Sequence, residues 1–230
     1  MTTRRPLFVK ICGVTSEDDA LLAAGLGADA IGMIFAASSS RITRGRARDI
    51  VRRLPPEVLS VGVFRNESKE RVVRLANEVG LRAVQLHGHE TAEDTRWVAE
   101  RVPNVIRAFA ATDPALARHA DYGDIRLLID SPLPGSGEVF DWSILEQESF
   151  ARGFILAGGL DPENVATAID AMAPWGVDVK TGVEDRPGVK DPIKLQQFIA
   201  RAREAHDALA ARPEPADGAP YDWEVDASWR

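Results

Sequence analysis

Eight short apolar segments, separated by longer stretches with a helical pattern, constrain the fold of this chain more than any other feature. The segments lack a clean polar and apolar alternation, which is typical of parallel strands covered on both faces. They are LFVKI (7–11), AIGMIF (30–35), VLSVGVF (58–64), RAVQL (82–86), NVIRAF (104–109), IRLLID (125–130), GFILA (153–157) and GVDVK (176–180). This strict alternation predicts an α/β fold, a single-domain (βα)8 TIM barrel.

Several helix boundaries are marked by residues that cap helices. Ser16, with Asp19 three residues later, is predicted to begin one helix, and a second is predicted to start at Ser68 and stop at Gly80. The Asp-Pro pair at 161–162 is predicted to open the helix that follows the seventh strand.

Two helical stretches are short, and one other architecture stays open. The fifth, DPALARHA (113–120), and the sixth, WSILEQES (142–149), can each be a single irregular turn. A doubly wound open sheet has the same βα period. None of the predicted strands is followed by G-x-G-x-x-G, so a dinucleotide-binding sheet is disfavoured.

Length and composition set the domain organisation. A chain of 230 residues suits one barrel, predicted over residues 1–210. Residues 211–230 contain three prolines and five acidic residues, which predicts a short, acidic, mobile C-terminal tail.

Charge and cysteine content exclude several classes of protein. The net charge of −7 argues against nucleic-acid binding, and the chain has no apolar run near 18 residues, so no membrane association is predicted. One cysteine and no secretory leader predict a cytoplasmic location.

The loops after the seventh and eighth strands predict a phosphate site. In barrels of this type the βα loops form the functional rim, and the last two loops often hold a phosphate. Gly158 and Gly159 expose backbone N–H groups beside a helix start, and Thr181 and Gly182 add a hydroxyl and further N–H groups. Glycines that only make turns are the alternative, but two adjacent loops favour a small phosphorylated substrate.

Cys12 and Asp130 end the first and sixth strands, on opposite sides of the predicted rim. A thiol with a lowered pKa is a competent base or nucleophile, and a carboxyl group shielded from water can keep a proton and act as an acid. The pair can therefore move protons across a bound substrate. Taken alone, Cys12 is more simply a small buried apolar residue, and Asp130 a strand-end cap.

Other polar residues at the rim are candidates for substrate binding. Gln85 and His87, at the end of the fourth strand, are predicted to line the pocket, and Arg41 to contact a carboxylate or phosphate. His87 and His89 share a strand face, but further metal ligands are lacking, so no metal is predicted.

Seven stretches of the sequence together resemble one family, the phosphoribosylanthranilate isomerases of tryptophan biosynthesis. They follow the family's order over about residues 7 to 205. They are VKICGVT (9–15), F-x-x-x-S-x-R (35–41), VQLHG (84–88), LLID (127–130), GSGEVFDW (135–142), LAGGLDPENV (156–165) and GVDVKTGVEDRPGVKD (176–191).

The resemblance implies an aldose-ketose isomerase that uses no cofactor or metal. It also implies that the protein is a monomer or a homodimer. The reaction is the Amadori rearrangement of N-(5-phosphoribosyl)anthranilate to 1-(2-carboxyphenylamino)-1-deoxyribulose 5-phosphate. It implies Asp130 as the acid that protonates the ring oxygen and Cys12 as the base that removes the C2 proton. Arg41 matches an arginine that meets the anthranilate carboxylate, and Asp178 an aspartate that lines or braces the pocket. The phosphate loops match at Gly158, Gly159, Thr181 and Gly182.

Two departures and two alternatives qualify the resemblance. Ser40 stands where the family usually has proline, and Lys180 and Thr181 stand where it usually has two serines. Ser40 predicts a less rigid loop around Arg41, and Lys180 either adds a charge to the phosphate site or points elsewhere. The alternatives are the related aminoaldose-phosphate isomerase of histidine biosynthesis, with aspartate in place of Cys12, and a non-catalytic barrel that binds a phosphorylated ligand.

Overall fold

A computed structural model describes residues 6–131 and 153–210, in which eight parallel strands form a closed barrel. The strands follow chain order, and β1 pairs with β8 so that Lys10 lies opposite Asp178. This pairing closes the sheet, so the open-sheet alternative is wrong. The strands are β1 (Phe8–Ile11), β2 (Ala30–Ile34), β3 (Leu59–Phe64), β4 (Ala83–Leu86), β5 (Val105–Ala110), β6 (Arg126–Asp130), β7 (Phe154–Leu156) and β8 (Gly176–Val179).

Helices follow most of the strands and cover the outside of the barrel. They are α1 (Glu17–Gly25), α2 (Arg44–Arg53), α3 (Lys69–Val79), α4 (Ala92–Ala99), α5 (Val165–Met172) and α6 (Pro192–Ala210). After β8, a short 3-10 turn leads into an antiparallel hairpin, β9 (Glu184–Arg186) and β10 (Val189–Lys190), before α6 begins. This hairpin was not predicted.

The predicted boundaries of the first and third helices are confirmed, and one of the two predicted caps forms its hydrogen bond. The Ser16 hydroxyl accepts a hydrogen bond from the Asp19 backbone N–H, and α1 begins at Glu17. Ser68 precedes α3, although its side chain makes no capping hydrogen bond. Gly80 ends α3 with φ of +81°, a conformation that favours glycine.

The predicted start of the helix after β7 was wrong. The α5 helix begins at Val165, because Asp161 and Pro162 form a turn rather than its first residues. The Asp161 carboxylate accepts hydrogen bonds from the backbone N–H groups of Glu163 and Asn164, which fixes that turn.

The fifth helical stretch is irregular, as its length suggested. It forms a 3-10 helix over Leu116–Tyr122, interrupted by non-helical backbone at Arg118. The sixth predicted stretch (142–149), the GSGEVFDW motif and the acidic tail lie outside the described residues, so the predictions made for them stay predictions.

Apolar side chains fill the space between strands and helices and the lower half of the barrel interior. The interior cluster is small and includes Ala30, Val61, Ala83, Ile106, Ala108, Leu128, Ile155 and Ala157. Above this layer the inward side chains become polar, because alternate strand residues share a face and the strands end in polar residues. The core therefore supports a polar pocket at the carboxyl ends of the strands.

Within the described residues, no helix has the length and apolar character needed to cross a membrane. The cytoplasmic location stays a prediction.

Candidate active site

A cavity of about 560 Å³ opens at the carboxyl ends of the strands. Most residues predicted for the site line it together: Cys12, Gln85, His87, Asp130, Gly158, Gly159, Asp178 and Thr181. They come from strands β1, β4, β6, β7 and β8 or the loops after them, because the parallel order of the barrel gathers these strand ends at one rim.

Cys12 follows β1 and is 5% exposed. Its backbone N–H donates to the Val179 carbonyl of β8, which fixes its position at the rim. Burial raises the pKa of the Cys12 thiol, and the positive charges of Lys10 and Lys190 only partly oppose that shift. The sulfur is thus held as a mostly protonated thiol that has cations nearby to support the thiolate.

Lys10 and Asp178 form an ion pair inside the barrel, with Nζ 2.7 Å from Oδ1. Lys10 is fully buried and Asp178 is 8% exposed, lining the cavity. Burial by itself lowers the pKa of Lys10, but the negative charges of Asp178 and the Cys12 thiolate outweigh it and raise that pKa. Lys10 is therefore held as an ammonium ion beneath the cavity floor.

Asp130 ends β6 on the other side of the cavity and is 6% exposed. Its Oδ1 accepts a hydrogen bond from the backbone N–H of Ser131. Gly158 follows β7 beside it with φ of +91°. A Cβ atom at Gly158 would lie 2.9 Å from Asp130 Oδ1 and 2.7 Å from the Ser131 Cβ, so glycine permits this close approach.

His87 and Gln85 extend the same wall from the end of β4. Gln85 Nε2 lies 3.0 Å from His87 Nδ1, and His87 Nε2 lies 3.2 Å from Asp130 Oδ2. Gln85 Oε1 is buried and has no hydrogen-bond partner among the described residues. Gln85 lines the cavity but is only 1% exposed, so its side chain lies within the wall, against the His87 ring.

The loops after β7 and β8 pack tightly against each other. Gly159 has φ of +67°, and the Asn164 amide donates to its carbonyl. Gly182 faces the Leu160 carbonyl and the Asp161 backbone so closely that any side chain there would collide with them. Gly182 is not among the residues lining the cavity, and its part in phosphate binding stays a prediction.

Arg41 lies away from the cavity in this structure. Its side chain is exposed, and it is not among the lining residues. Among the residues that the structure describes, the lysine and arginine side chains that line the cavity are Lys180 and Arg65, which directly follows β3. Contact of Arg41 with a substrate carboxylate stays a prediction.

Lys180 faces the cavity, which the sequence left undecided. Its side chain crosses Gly13, where a Cβ atom would lie 3.1 Å from Lys180 Cγ, and its Nζ lies 3.4 Å from Ser38 Oγ. The Lys180 side chain therefore spans from the end of β8 to the loop between β2 and α2.

A buried polar cluster joins the hairpin to the β2α2 loop. Glu184 Oε1 lies 3.3 Å from Lys190 Nζ, accepts from the Gly188 N–H and lies 3.5 Å from the Ser40 hydroxyl. Lys190 Nζ also donates to the Lys180 carbonyl. Ser40 is 1% exposed and is held in place by this cluster. This is contrary to the expectation of a less rigid loop at this position.

Sequence reasoning missed Lys10, Arg65 and the Glu184–Lys190 pair. Arg65 had a usable signal, because it follows β3 directly, as Cys12 follows β1. The signal for Lys10 was weaker. Lys10 lies two residues before Cys12, so both side chains face the barrel interior.

Across residues 6–131 and 153–210, no group of three or more His, Cys, Asp or Glu side chains is placed to hold a metal ion.

Comparison with known proteins connects this geometry to one family. The family model of N-(5'-phosphoribosyl)anthranilate (PRA) isomerase matches residues 9–201. The chain belongs to this family. The N-(5'-phosphoribosyl)anthranilate isomerase of Desulforudis audaxviator is 48% identical over 202 residues, covering 86% of this chain and 98% of the relative.

Solved structures of PRA isomerases share the barrel. The enzyme of Thermus thermophilus superimposes with a TM-score of 0.79 at 42% identity, over 85% of this chain and 98% of the other. A PRA isomerase bound to reduced 1-(o-carboxyphenylamino)-1-deoxyribulose 5-phosphate gives a TM-score of 0.76 at 40% identity, over 86% and 99%. Another solved structure presents monomers generated from the dimeric isomerase of Thermotoga maritima. The oligomeric state of this chain, monomer or homodimer, stays a prediction.

Proposed function

We propose that this chain isomerises N-(5'-phosphoribosyl)anthranilate to 1-(2-carboxyphenylamino)-1-deoxyribulose 5-phosphate in tryptophan biosynthesis, with Asp130 as acid and Cys12 as base. One observation carries the assignment of roles. A buried thiol and a buried carboxyl group line the same cavity from β1 and β6, which are far apart in the barrel order. A substrate between them can be protonated at one atom and deprotonated at another.

The cavity offers partners for the two anionic groups of this substrate. The glycine loops after β7 and β8 suit the phosphate, because backbone N–H groups and the Thr181 hydroxyl can donate to its oxygens. Lys180 and Arg65 supply positive charge for the phosphate and the anthranilate carboxylate.

Ring opening comes first in the proposed sequence. Asp130, in its protonated form, donates its proton to the furanose ring oxygen while the bond from that oxygen to C1 breaks. The lone pair of the anilino nitrogen forms the C1=N bond of a protonated Schiff base. Asp130 is left as a carboxylate beside the Ser131 N–H, which supports the negative charge.

Proton abstraction follows at C2. The Cys12 thiolate takes the C2 proton, and the electron pair of that C–H bond forms C1=C2 as the C1=N pair returns to nitrogen. The resulting enolamine tautomerises: C2 becomes a ketone as its hydroxyl proton is lost and C1 gains a proton. Atoms and charges balance without a cofactor.

The test is turnover of freshly prepared N-(5'-phosphoribosyl)anthranilate, followed by its fluorescence. We expect wild-type turnover, and losses of roughly 10²- to 10⁴-fold in Cys12→Ser and in Asp130→Asn. Asp49→Asn, on the exposed face of α2, serves as the matched control and should keep full activity. Full activity in either catalytic variant would contradict the role given to that residue.

The two alternative functions predict other results. Turnover of the aminoaldose phosphate of histidine biosynthesis, with none of the anthranilate substrate, would identify the related isomerase. Binding of phosphorylated ligands with turnover of neither substrate would identify a binding barrel.

A further inference from the structure

Lys10 is a fully buried cation that the proposed reaction does not use. It lies on β1 two residues before Cys12, so both side chains point into the barrel. A charged group in such a place is costly unless it is paired, and the pair with Asp178 meets that requirement. An ion pair that served stability alone would not need to lie directly beneath the thiol.

Gly32 on β2 brings Lys10 and Cys12 together. A Cβ atom at Gly32 would lie 2.9 Å from Cys12 Sγ and 3.1 Å from Lys10 Nζ. The sulfur and the ammonium nitrogen therefore border the same small space, which is open because position 32 has no side chain. Lys10 Nζ therefore lies no more than about 6 Å from Cys12 Sγ while it pairs with the Asp178 carboxylate.

Three charged side chains act on Cys12 from the surrounding elements. Lys10 on β1 and Lys190 on β10 favour the thiolate, and Asp178 on β8 opposes it. Strand β2 presents Gly32 and Ile34, which are uncharged. Asp130 and His87 line the opposite wall of the cavity.

We propose that Lys10 is a positioning residue whose ammonium group stabilises the Cys12 thiolate. The Asp178 carboxylate pairs with that ammonium group and so weakens its effect on the sulfur. The proposal rests on the proposed function, because a base that removes the C2 proton has to be a thiolate first. Lys10 lies below the sulfur and acts through Cys12, so the cavity above stays free for the substrate.

The single cysteine makes the thiolate directly measurable in this chain. The rate of alkylation by iodoacetamide, measured against pH, reports the apparent pKa of Cys12 without any substrate. The ultraviolet absorbance of the thiolate, with Cys12→Ser subtracted, gives a second measurement. Both readouts are independent of isomerase activity, so failure of the proposed function and failure of this proposal are distinguishable.

The pKa of the Cys12 thiol should follow a definite order across four variants. Lys10→Met should raise the thiol pKa by roughly one to three units, because an opposite charge close to the sulfur is lost. Asp178→Asn should lower it, since the carboxylate no longer opposes the thiolate. Lys10→Met/Asp178→Asn should fall between wild type and Lys10→Met, still above wild type. Lys10→Arg keeps the positive charge and should stay near wild type.

The double variant guards against misfolding. Lys10→Met alone leaves Asp178 buried without a partner, whereas loss of both charges is commonly tolerated. Circular dichroism and thermal unfolding check that each variant is folded. A thiol pKa in the folded double variant equal to that of Asp178→Asn would overturn the proposal and leave Lys10 a structural residue only. Loss of stability with an unchanged thiol titration would lead to the same conclusion.

Discussion

His87 Nε2 lies 3.2 Å from Asp130 Oδ2, and the other ring nitrogen of His87 faces the Gln85 amide at 3.0 Å. The Gln85 N–H donates to Nδ1, which places the proton of a neutral imidazole on Nε2, toward the carboxylate. The two atoms are close, but His87 Nε2 has no hydrogen-bond partner among the described residues. A small rotation that completed the bond would support the Asp130 carboxylate formed after it protonates the ring oxygen.

Replacement of His87 tests this support. We expect His87→Asn to lower kcat by roughly 10- to 150-fold, because a hydrogen bond to a charged group contributes about 1.5 to 3 kcal/mol. KM should change less, since the charge on Asp130 develops only during the reaction. His206→Asn, on α6, is the control and should retain wild-type kcat. Steady-state kinetics measure both constants, and an unchanged kcat in His87→Asn would contradict the role.

The strands and the rim were predictable because their signals are local. Each predicted strand overlaps the observed one, and the polar residues after β1, β4, β6, β7 and β8 meet in one cavity once the barrel closes. That follows from the parallel arrangement alone. Placing Cys12 and Asp130 in one site needed no knowledge of side-chain contacts.

The buried charges were not predictable from the apolar pattern. Lys10 was included in an apolar strand segment, and its partner Asp178 lies 168 residues away in sequence, so only the closure of β1 on β8 brings them together. The placement of Ser40 beside Glu184 likewise depends on a hairpin formed after the last barrel strand. The direction of side chains was also not predictable. Arg41 and Lys180 both come after strands in the sequence, but only Lys180 lines the cavity.

A side chain at position 158 should disturb both fold and chemistry. Gly158→Ala forces a positive φ on alanine and places its Cβ against Ser131 and the Asp130 carboxylate. We expect a loss of at least about 1 kcal/mol in unfolding free energy, from the backbone strain alone, and a marked fall in kcat. Gly45→Ala in the first turn of α2 is the matched control, because nothing lies within 4 Å of its Cβ position. It should be neutral or stabilising in urea denaturation.

Lys180 should contribute to the binding of the anionic substrate. Its ammonium group lines the cavity between Gly13 and Ser38, so Lys180→Ser removes a positive charge from the site. We expect KM to rise several-fold with a smaller change in kcat, since the charge attracts the substrate before and during the reaction alike. Lys69→Met is the control, because Lys69 pairs with Asp94 away from this cavity. Equal KM values in both variants would show that Lys180 takes no part in binding.

Loss of Lys190 alone should destabilise the protein more than loss of its whole ion pair. Lys190→Met leaves Glu184 buried without its cation, at a cost of roughly 3 to 5 kcal/mol. Lys190→Met/Glu184→Gln removes both charges and should be considerably more stable than the single variant. Urea denaturation of the two variants measures the difference. A double variant as unstable as Lys190→Met would mean that the loss comes from packing or from the Lys180 carbonyl contact, and not from the unpaired carboxylate.

The pH dependence of the reaction should follow Cys12. Burial raises the pKa of its thiol above the ordinary value of 9.0, and the thiolate is the form that accepts the C2 proton. The thiolate fraction grows as pH rises, so in Asp130→Asn, where no acid is left to titrate, the residual kcat/KM, which reports ionisations of the free enzyme, should increase into the alkaline range. Cys12→Asp in the same background supplies a base whose ordinary pKa is about 3.9, so the rise of kcat/KM should move to much lower pH even if the overall rate is reduced. Profiles of kcat/KM with the same rising limb in both proteins would assign that limb to another group and remove the thiolate from the proposed mechanism.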